Sequence, residues 1–350
     1  MRPLPLGIFV LAAASPLALL AAGLGLGGVW PWAALLYMAL AAVTLDLLIP
    51  WVAEAAPERE FPAEGVLLVG LGLAGLSALP LLIWAVAGPS GHSLPARIAL
   101  FLAGGLWFGQ VGHPAAHELI HRPRPLFWLG LAIYTALLFG HHTSAHRLVH
   151  HRFVATPDDP NSARSGEGFY RFLRRAWLGS FVAGYRAETA LRGRGVAKGV
   201  HPYALYVGGG LAALILAGLI AGLPGVLVWT GLSLHVGSQI LLSDYVQHYG
   251  LRRAVTDGKP APVAMAQSWN TPHWFSSALM LNAPRHSDHH AHPTRPYPAL
   301  HLPPDAPMLP WPLPLAAMIA LNPRLWHRRM APLVDRWAAP VAPVAPVAKE

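Results

Sequence analysis

The stretch RIALFLAGGLWFGQVGHPAAHELIHR (97–122) combines two properties that rarely share one helix. Its first twenty positions are mainly apolar, over the roughly 20 residues needed to cross a hydrocarbon core. Its end carries His117 and His121, four residues apart and therefore on one helical face. Ionisable side chains at the end of an apolar span are costly to bury unless a metal or a partner receives them. The stretch therefore predicts a membrane helix that delivers histidines to a site.

The rest of the chain agrees. Of its 350 residues 54% are hydrophobic and only 12% charged, outside the usual range of soluble proteins. Five further apolar stretches are long enough to span, at about 4–27, 30–50, 65–87, 203–222 and 224–245. With 97–117 they predict an all-α integral-membrane bundle of about six transmembrane helices, forming one domain over 1–335. The first stretch is expected to be retained as a span, because it is long, has a weakly basic start and leads directly into a second one. A proline, alanine and valine tail is expected over 336–350. With the N-terminus in the cytoplasm every Lys and Arg falls on the cytoplasmic side except Arg97. That orientation places the histidine-bearing ends in the cytoplasm of a cell whose inner membrane holds the chain. The shorter stretch Leu126 to Gly140 starts and ends on that same side, so it is expected to be embedded without crossing.

The formal charge of +9 is explained by this topology and by anionic headgroups, and no nucleic-acid-binding motif accompanies it. With no cysteine in the chain, disulfides, zinc-thiolate sites and cysteine-ligated iron–sulfur clusters are excluded. Any metal must take nitrogen or oxygen ligands.

Three more histidine groups follow the first. HRLVHH (146–151) repeats an i, i+4 pair at His146 and His150 and adds His151, turned about 100° away and able to face a second metal. HSDHH (286–290) offers His286, His289 and His290, and His248 closes the last span. Nine imidazoles exceed the needs of one ion and suit two metals with open positions; imidazole alone leaves zinc, copper, iron and nickel all eligible. HELIH also matches the zinc-protease motif, but a single protease zinc has no use for the other boxes.

The strings HELIHR (117–122), HRLVHHRFVATPDDPNSAR (146–164), DYVQHYGL (244–251), SWN (268–270) and RHSDHHAHPTRPYPAL (285–300) resemble the membrane fatty-acid desaturase and hydroxylase superfamily. Within it they resemble the alkane 1-monooxygenase family, whose second box is HxxxHH where most desaturases have HxxHH. The resemblance runs from about Leu36 to Leu300. It implies a non-haem di-iron centre held by His117, His121, His146, His150, His151, His248, His286, His289 and His290. It implies O2-dependent hydroxylation of the terminal C–H of an alkane or similar substrate drawn from the bilayer, the second oxygen atom leaving as water. Electrons would come from a rubredoxin or ferredoxin served by an NAD(P)H-dependent reductase. A xylene-type alkyl-aromatic monooxygenase and a fatty acyl desaturase are the alternatives, and a non-enzymatic metal carrier is a third reading.

Glu118 and Asp288 lie inside the boxes and are the expected carboxylate partners of ligand imidazoles. His141, His142 and His292 fall outside the ligand pattern. Asp46, inside the second span, is expected to be functional or tied to another segment. Trp30, Trp32, Trp51 and the glycine-rich 66–76 could line a channel or, for the tryptophans, anchor the interface. The Arg-rich segment from Arg164 to Lys198 could steer an acidic electron donor or belong to the positive belt. The chain departs from the alkane-hydroxylase pattern at Ala145, Asp244 and Gln247, where that family carries Glu, Asn and Glu. These changes leave the ligands in place and bear on the substrate.

Overall fold

Apolar segments in a medium without hydrogen-bond partners must satisfy their backbone internally, which helices do. The computed structural model, which describes residues 6–49, 64–256 and 259–337, is accordingly an α-helical bundle. Its described strands are one two-residue antiparallel pair, β1 (Val255–Thr256) and β2 (Lys259–Pro260). The bundle opens with α1 (Leu6–Leu26), α2 (Trp30–Leu48), α3 (Glu64–Ala87) and α4 (Leu94–Ile120), all long and apolar enough to cross a membrane. After them come α5 (Leu126–Ala136), α6 (142–153), the basic amphipathic α7 (Phe169–Gly193) and the apolar α8 (Pro202–His248). Four short helices finish the chain: α9 (Trp274–Leu279), α10 (His286–Ala291), α11 (Leu313–Ala320) and α12 (Pro323–Trp337).

A straight helix of 47 residues would reach about 70 Å, more than twice a hydrocarbon core. Instead α8 breaks at Ala221 and Gly222, the latter at φ 58°, a left-handed conformation that glycine adopts without strain. The chain turns back so tightly there that a Cβ on Gly225 would collide with the Ala217 carbonyl oxygen. The two arms hold the apolar stretches 203–222 and 224–245. Leucine and isoleucine side chains on the spans point outward, with Leu11 71%, Ile215 64% and Leu219 80% exposed, which suits a lipid solvent and not water.

The helix α4 occupies the centre. Ser93 caps its first turn, its hydroxyl accepting from the Ala96 amide, and Pro95 occupies that turn without losing a hydrogen bond. Arg97, the lone basic residue expected on the outer side, donates to the carbonyls of Val86 and His92 at 2.8 and 2.9 Å. Farther along, the absence of side chains at Gly105 and Gly109 admits the second arm of α8, whose Gln239 donates to the Gly105 carbonyl at 2.8 Å. The short α5 lies against the last turns of α4, where a Cβ on Gly130 would come within 2.8 Å of the Ala116 carbonyl oxygen. At 11 residues it is too short to cross, in keeping with its expected embedded position.

Asp46 is tied to another segment. Its carboxylate, buried within α2, accepts from the amides of Phe275 and Ser276 at 2.7 and 3.1 Å and so caps α9. Trp30 and Trp32 are 39% and 44% exposed, and Trp32 lines a separate cleft with Trp84 and His92. They do not line the site described below, and Trp51 lies outside the described residues. Gly72 and Gly75 make room for Leu129 and Trp107 rather than for a channel. The helix α12 continues through Trp337, two residues into the expected tail, the rest of which lies outside the described residues. Substituting Asp46→Ala strands two buried amides and should cost about 1–3 kcal/mol, read as a lowered Tm of the purified chain, with Asp46→Asn recovering part of the loss. An unchanged Tm would show that α9 needs no cap.

Candidate metal centre

The histidine boxes converge where α4, α6, α8 and α10 end or begin. Their imidazoles form two adjoining groups, and within each the ligating nitrogens lie within 4.8 Å of one another. One group contains His117, His121, His146, His151 and His289; the other contains His150, His248, His286 and His290. All nine expected ligands are present, divided five and four, and no carboxylate belongs to either group among the described residues.

The division corrects one reading from spacing. His146 and His150, expected to share a face as an i, i+4 pair, belong to different groups. Residues His146–His150 form a π-helical turn, whose i to i+5 hydrogen bonding aligns His146 with His151 instead. Their Nε2 atoms are 2.8 Å apart, and His146 Nε2 is 2.7 Å from that of His117. A second π turn, Phe108–Gly112, precedes the first box within α4.

Contacts this short between ring nitrogens identify what the cluster is built to hold. His151 and His289 approach at 3.2 Å, His248 and His286 at 3.0 Å, and His286 and His290 at 3.1 Å, all through Nε2. Two nitrogens each about 2.1 Å from one ion and a right angle apart would be roughly 3 Å from each other. His121 Nε2 and His150 Nε2 are buried and have no hydrogen-bond partner among the described residues. Burial, followed by the charges of neighbouring histidines, holds His146, His151, His286, His289 and His290 well below the usual imidazole range. They are therefore neutral, with lone pairs available to a cation. The donor set fits two metal ions.

His150 differs. Burial pulls its pKa down, but the charge and hydrogen bond of Asp159 outweigh burial and raise it. Asp159 Oδ2 accepts from His150 Nδ1 at 2.8 Å and from the Ser162 hydroxyl at 2.7 Å, which fixes the ring with Nε2 toward its group. His248 is oriented in the same way, its Nδ1 donating to the Gln267 carbonyl at 3.2 Å.

Glu118 and Asp288 do not take the roles expected of them. Glu118 accepts from Arg122 at 3.4 Å and from the Tyr297 amide at 3.2 Å, and Arg122 also donates to Glu64 at 2.9 Å. Asp288 accepts from His292 at 2.9 Å, Arg295 at 2.6 Å and the His301 amide at 2.8 Å. Both carboxylates clamp the loop after α10 rather than an imidazole of either group. His141 faces Ser180 of α7 at 3.4 Å, and His142 stacks on His146.

Beside the groups is an enclosed cavity of about 20 Å³, enough for one molecule the size of water. His117, His146 and His289 of one group and His286 of the other line it, with Met280, Leu281 and Leu300 as its apolar wall. His113, Glu118, Asp244 and Gln247 are also in the lining. His113 was not singled out in the sequence, although it stands four residues before His117 on the same face; its Nδ1 lies 2.8 Å from the Tyr134 hydroxyl. Asp159 also went unnoticed, because its distance in sequence from His150 carries no helical signal.

The sequence that carries this arrangement matches a known family over more than half of the chain. The family model for fatty acid desaturase aligns with residues 92–303, which include all nine histidines. The chain belongs to the fatty acid desaturase family. It is 30% identical over 253 residues to an alkane 1-monooxygenase 2 of Alcanivorax borkumensis, covering 71% of this chain and 66% of that one. It is 34% identical over 227 residues to an alkane 1-monooxygenase of Ectopseudomonas oleovorans, covering 63% and 57%. The aligned part thus spans less than two thirds of these two relatives' length. A third relative, the xylene/toluene monooxygenase hydroxylase component of Pseudomonas putida, is 28% identical over 330 residues, covering 89% of this chain and 84% of its own.

Removing the Asp159 carboxylate should loosen the four-histidine group alone. In Asp159→Ala we expect metal affinity at one of two sites to fall roughly 10- to 100-fold, the usual cost of losing a ligand's hydrogen-bond partner. Metal content after graded chelation would read this, and equal retention by both proteins would refute the assignment.

Proposed function

We propose that this chain is a multi-pass membrane monooxygenase that hydroxylates the terminal C–H of an alkane or similar hydrophobic substrate with O2. Electrons would come from a rubredoxin or ferredoxin supplied by an NAD(P)H-dependent reductase, with the site on the cytoplasmic face of the inner membrane. The observation that carries the reading is the division of nine buried imidazoles into two adjoining groups beside one small cavity. The similarity to two alkane 1-monooxygenases supports it.

Two non-haem irons, one per histidine group, would supply the dioxygen and electron chemistry that side chains lack. The protein's own contribution is positional. His117, His121, His146, His151 and His289 would hold one iron and His150, His248, His286 and His290 the other. Asp159 and the Gln267 carbonyl hold two of those rings in register. Met280, Leu281 and Leu300 form the apolar wall of the adjoining cavity. The apolar helices give a hydrophobic substrate a route that need not pass through water. Glu118 and Asp288, clamped to Arg122 and Arg295, act by holding the loop that carries Leu300.

An alkyl-aromatic substrate is the second reading, favoured by the near full-length alignment with the xylene/toluene hydroxylase component. Both readings predict about two irons per purified chain. With reductase, rubredoxin and NADH, octane should yield 1-octanol by gas chromatography, or xylene a methylbenzyl alcohol. A purified chain without iron, or alkene as the sole product, would sink the proposal. His150→Ala and His151→Ala, one from each group, should each lower turnover by more than 100-fold while leaving the helical content unchanged.

A further inference from the structure

We propose that the cleft between α5, α6, α7 and the start of α8 binds the headgroup of an anionic phospholipid. The cleft encloses about 480 Å³ beside the histidine centre, and its lining divides into two chemistries. Arg124, Arg147 and Lys198 bring cationic groups to it from three separate segments, while Trp128, Leu131 and Leu205 form an apolar wall. A diacyl lipid carries a phosphate and hydrocarbon on one molecule and would meet both.

The charge has no internal counterpart. Glu188 is the sole carboxylate in the lining, and it is already taken by Arg192 at 2.7 Å and the Ser144 hydroxyl at 2.7 Å. Among the described residues Arg124, Arg147 and Lys198 form no ion pair with a carboxylate. The two arginines are instead held over aromatic rings, Arg124 over Trp128 and Arg147 over Phe127, each at 5.0 Å. This contact leaves the edges of the guanidinium groups free to donate to phosphate oxygens. The hydroxyl of Thr143, a residue only 2% exposed, also lines the cleft and lacks a hydrogen-bond partner among the described residues. A buried unsatisfied hydroxyl beside three unpaired cations points to a ligand rich in acceptors.

The apolar wall selects a lipid over free phosphate. Leu205 is 45% exposed and begins the arm of α8 on which Leu211, Ile215 and Leu219 face outward. The cleft therefore opens where the lipid-facing surface meets the basic face, at headgroup level. An acidic protein surface could meet the cations but would leave the recessed Thr143 and Leu131 unfilled.

Native mass spectrometry of the full chain with added phosphatidylglycerol or phosphatidylcholine of matched acyl chains tests this. Phosphatidylglycerol should bind at least fivefold more tightly. Each of Arg124→Gln, Arg147→Gln and Lys198→Gln should weaken it roughly fivefold, because a basic side chain at an anionic surface contributes on that order. Phosphatidylcholine binding should not change, and metal content and Tm should not fall. The comparison of the two lipids on the unsubstituted chain stands even where a variant fails to fold. Equal binding of the two lipids, or full displacement of phosphatidylglycerol by millimolar inorganic phosphate, would overturn the proposal. So would variants that raise the KM for an acidic electron-donor protein yet bind phosphatidylglycerol as before.

Discussion

The structure depends on bringing nine imidazoles together in a buried space, where nitrogens of seven of them approach one another to between 2.7 and 3.2 Å. Rings that close, each offering a lone pair, repel one another unless a cation lies among them or protons are shared. Folding the bundle and loading the centre are therefore linked, since a bound metal contributes its affinity to the stability of the folded state. The membrane spans supply what the cluster cannot. They are held by lipid burial and backbone hydrogen bonds that owe nothing to the metals, and they bring α4 and α8 to the site.

The fourth contributor, α10, has no span of its own. It is held by side chains that replace the missing regular backbone. Asn270 accepts from the Ser287 amide at 2.9 Å and donates to the Ser287 hydroxyl at 2.7 Å, and Trp269 donates to the Tyr249 carbonyl at 2.8 Å. Asp288, Glu118 and Asp46 fasten the flanking segments. Four acids or amides thus do for α9, α10 and the following loop what hydrophobic matching does for the spans. Their burial makes each loss expensive, because the freed donors have no water to turn to.

The helical class and the nine-histidine set were legible in the sequence because each rests on a local signal: apolar length for the spans, and clustering for the histidines. The partition between the groups was not. It depends on the π turn at 146–150, where five rather than four residues separate aligned side chains, and a 3.6-residue reading places His150 with His146. Long-range partners were equally hidden. The boxes point to Glu118 and leave Asp159 unnoticed, yet His150 is reached by a carboxylate nine positions away through a loop. The fate of Asp46 required α9, a helix of six residues with too little periodicity to recognise. Ala145 became intelligible only in three dimensions. It is buried where its backbone meets Gly184 of α7, so close that a Cβ on Gly184 would lie 3.1 Å from the Ala145 nitrogen.

The departures at Asp244 and Gln247 act on the frame of the site and not on its ligands. Gln247 is consumed by its neighbours, accepting from Ser243 at 2.8 Å and donating to the Ala283 carbonyl at 3.1 Å. Asp244 accepts from Asn161 at 2.6 Å, and the Asn161 amide donates to Asp159, the partner of His150. An acidic relay therefore leads to the four-histidine group. The five-histidine group has the opposite surroundings: burial first, then the positive charges of Arg147 and Arg122, push His121 down to about 3. Cations held by these two sets of nitrogens would sit in different fields, one eased by two carboxylates and the other facing two guanidinium groups, of which Arg122 is offset by Glu64 and Glu118. Since an asparagine at position 244 would remove the outer carboxylate of that relay, the substitution alters the electrostatic difference between the two sites while every imidazole keeps its place.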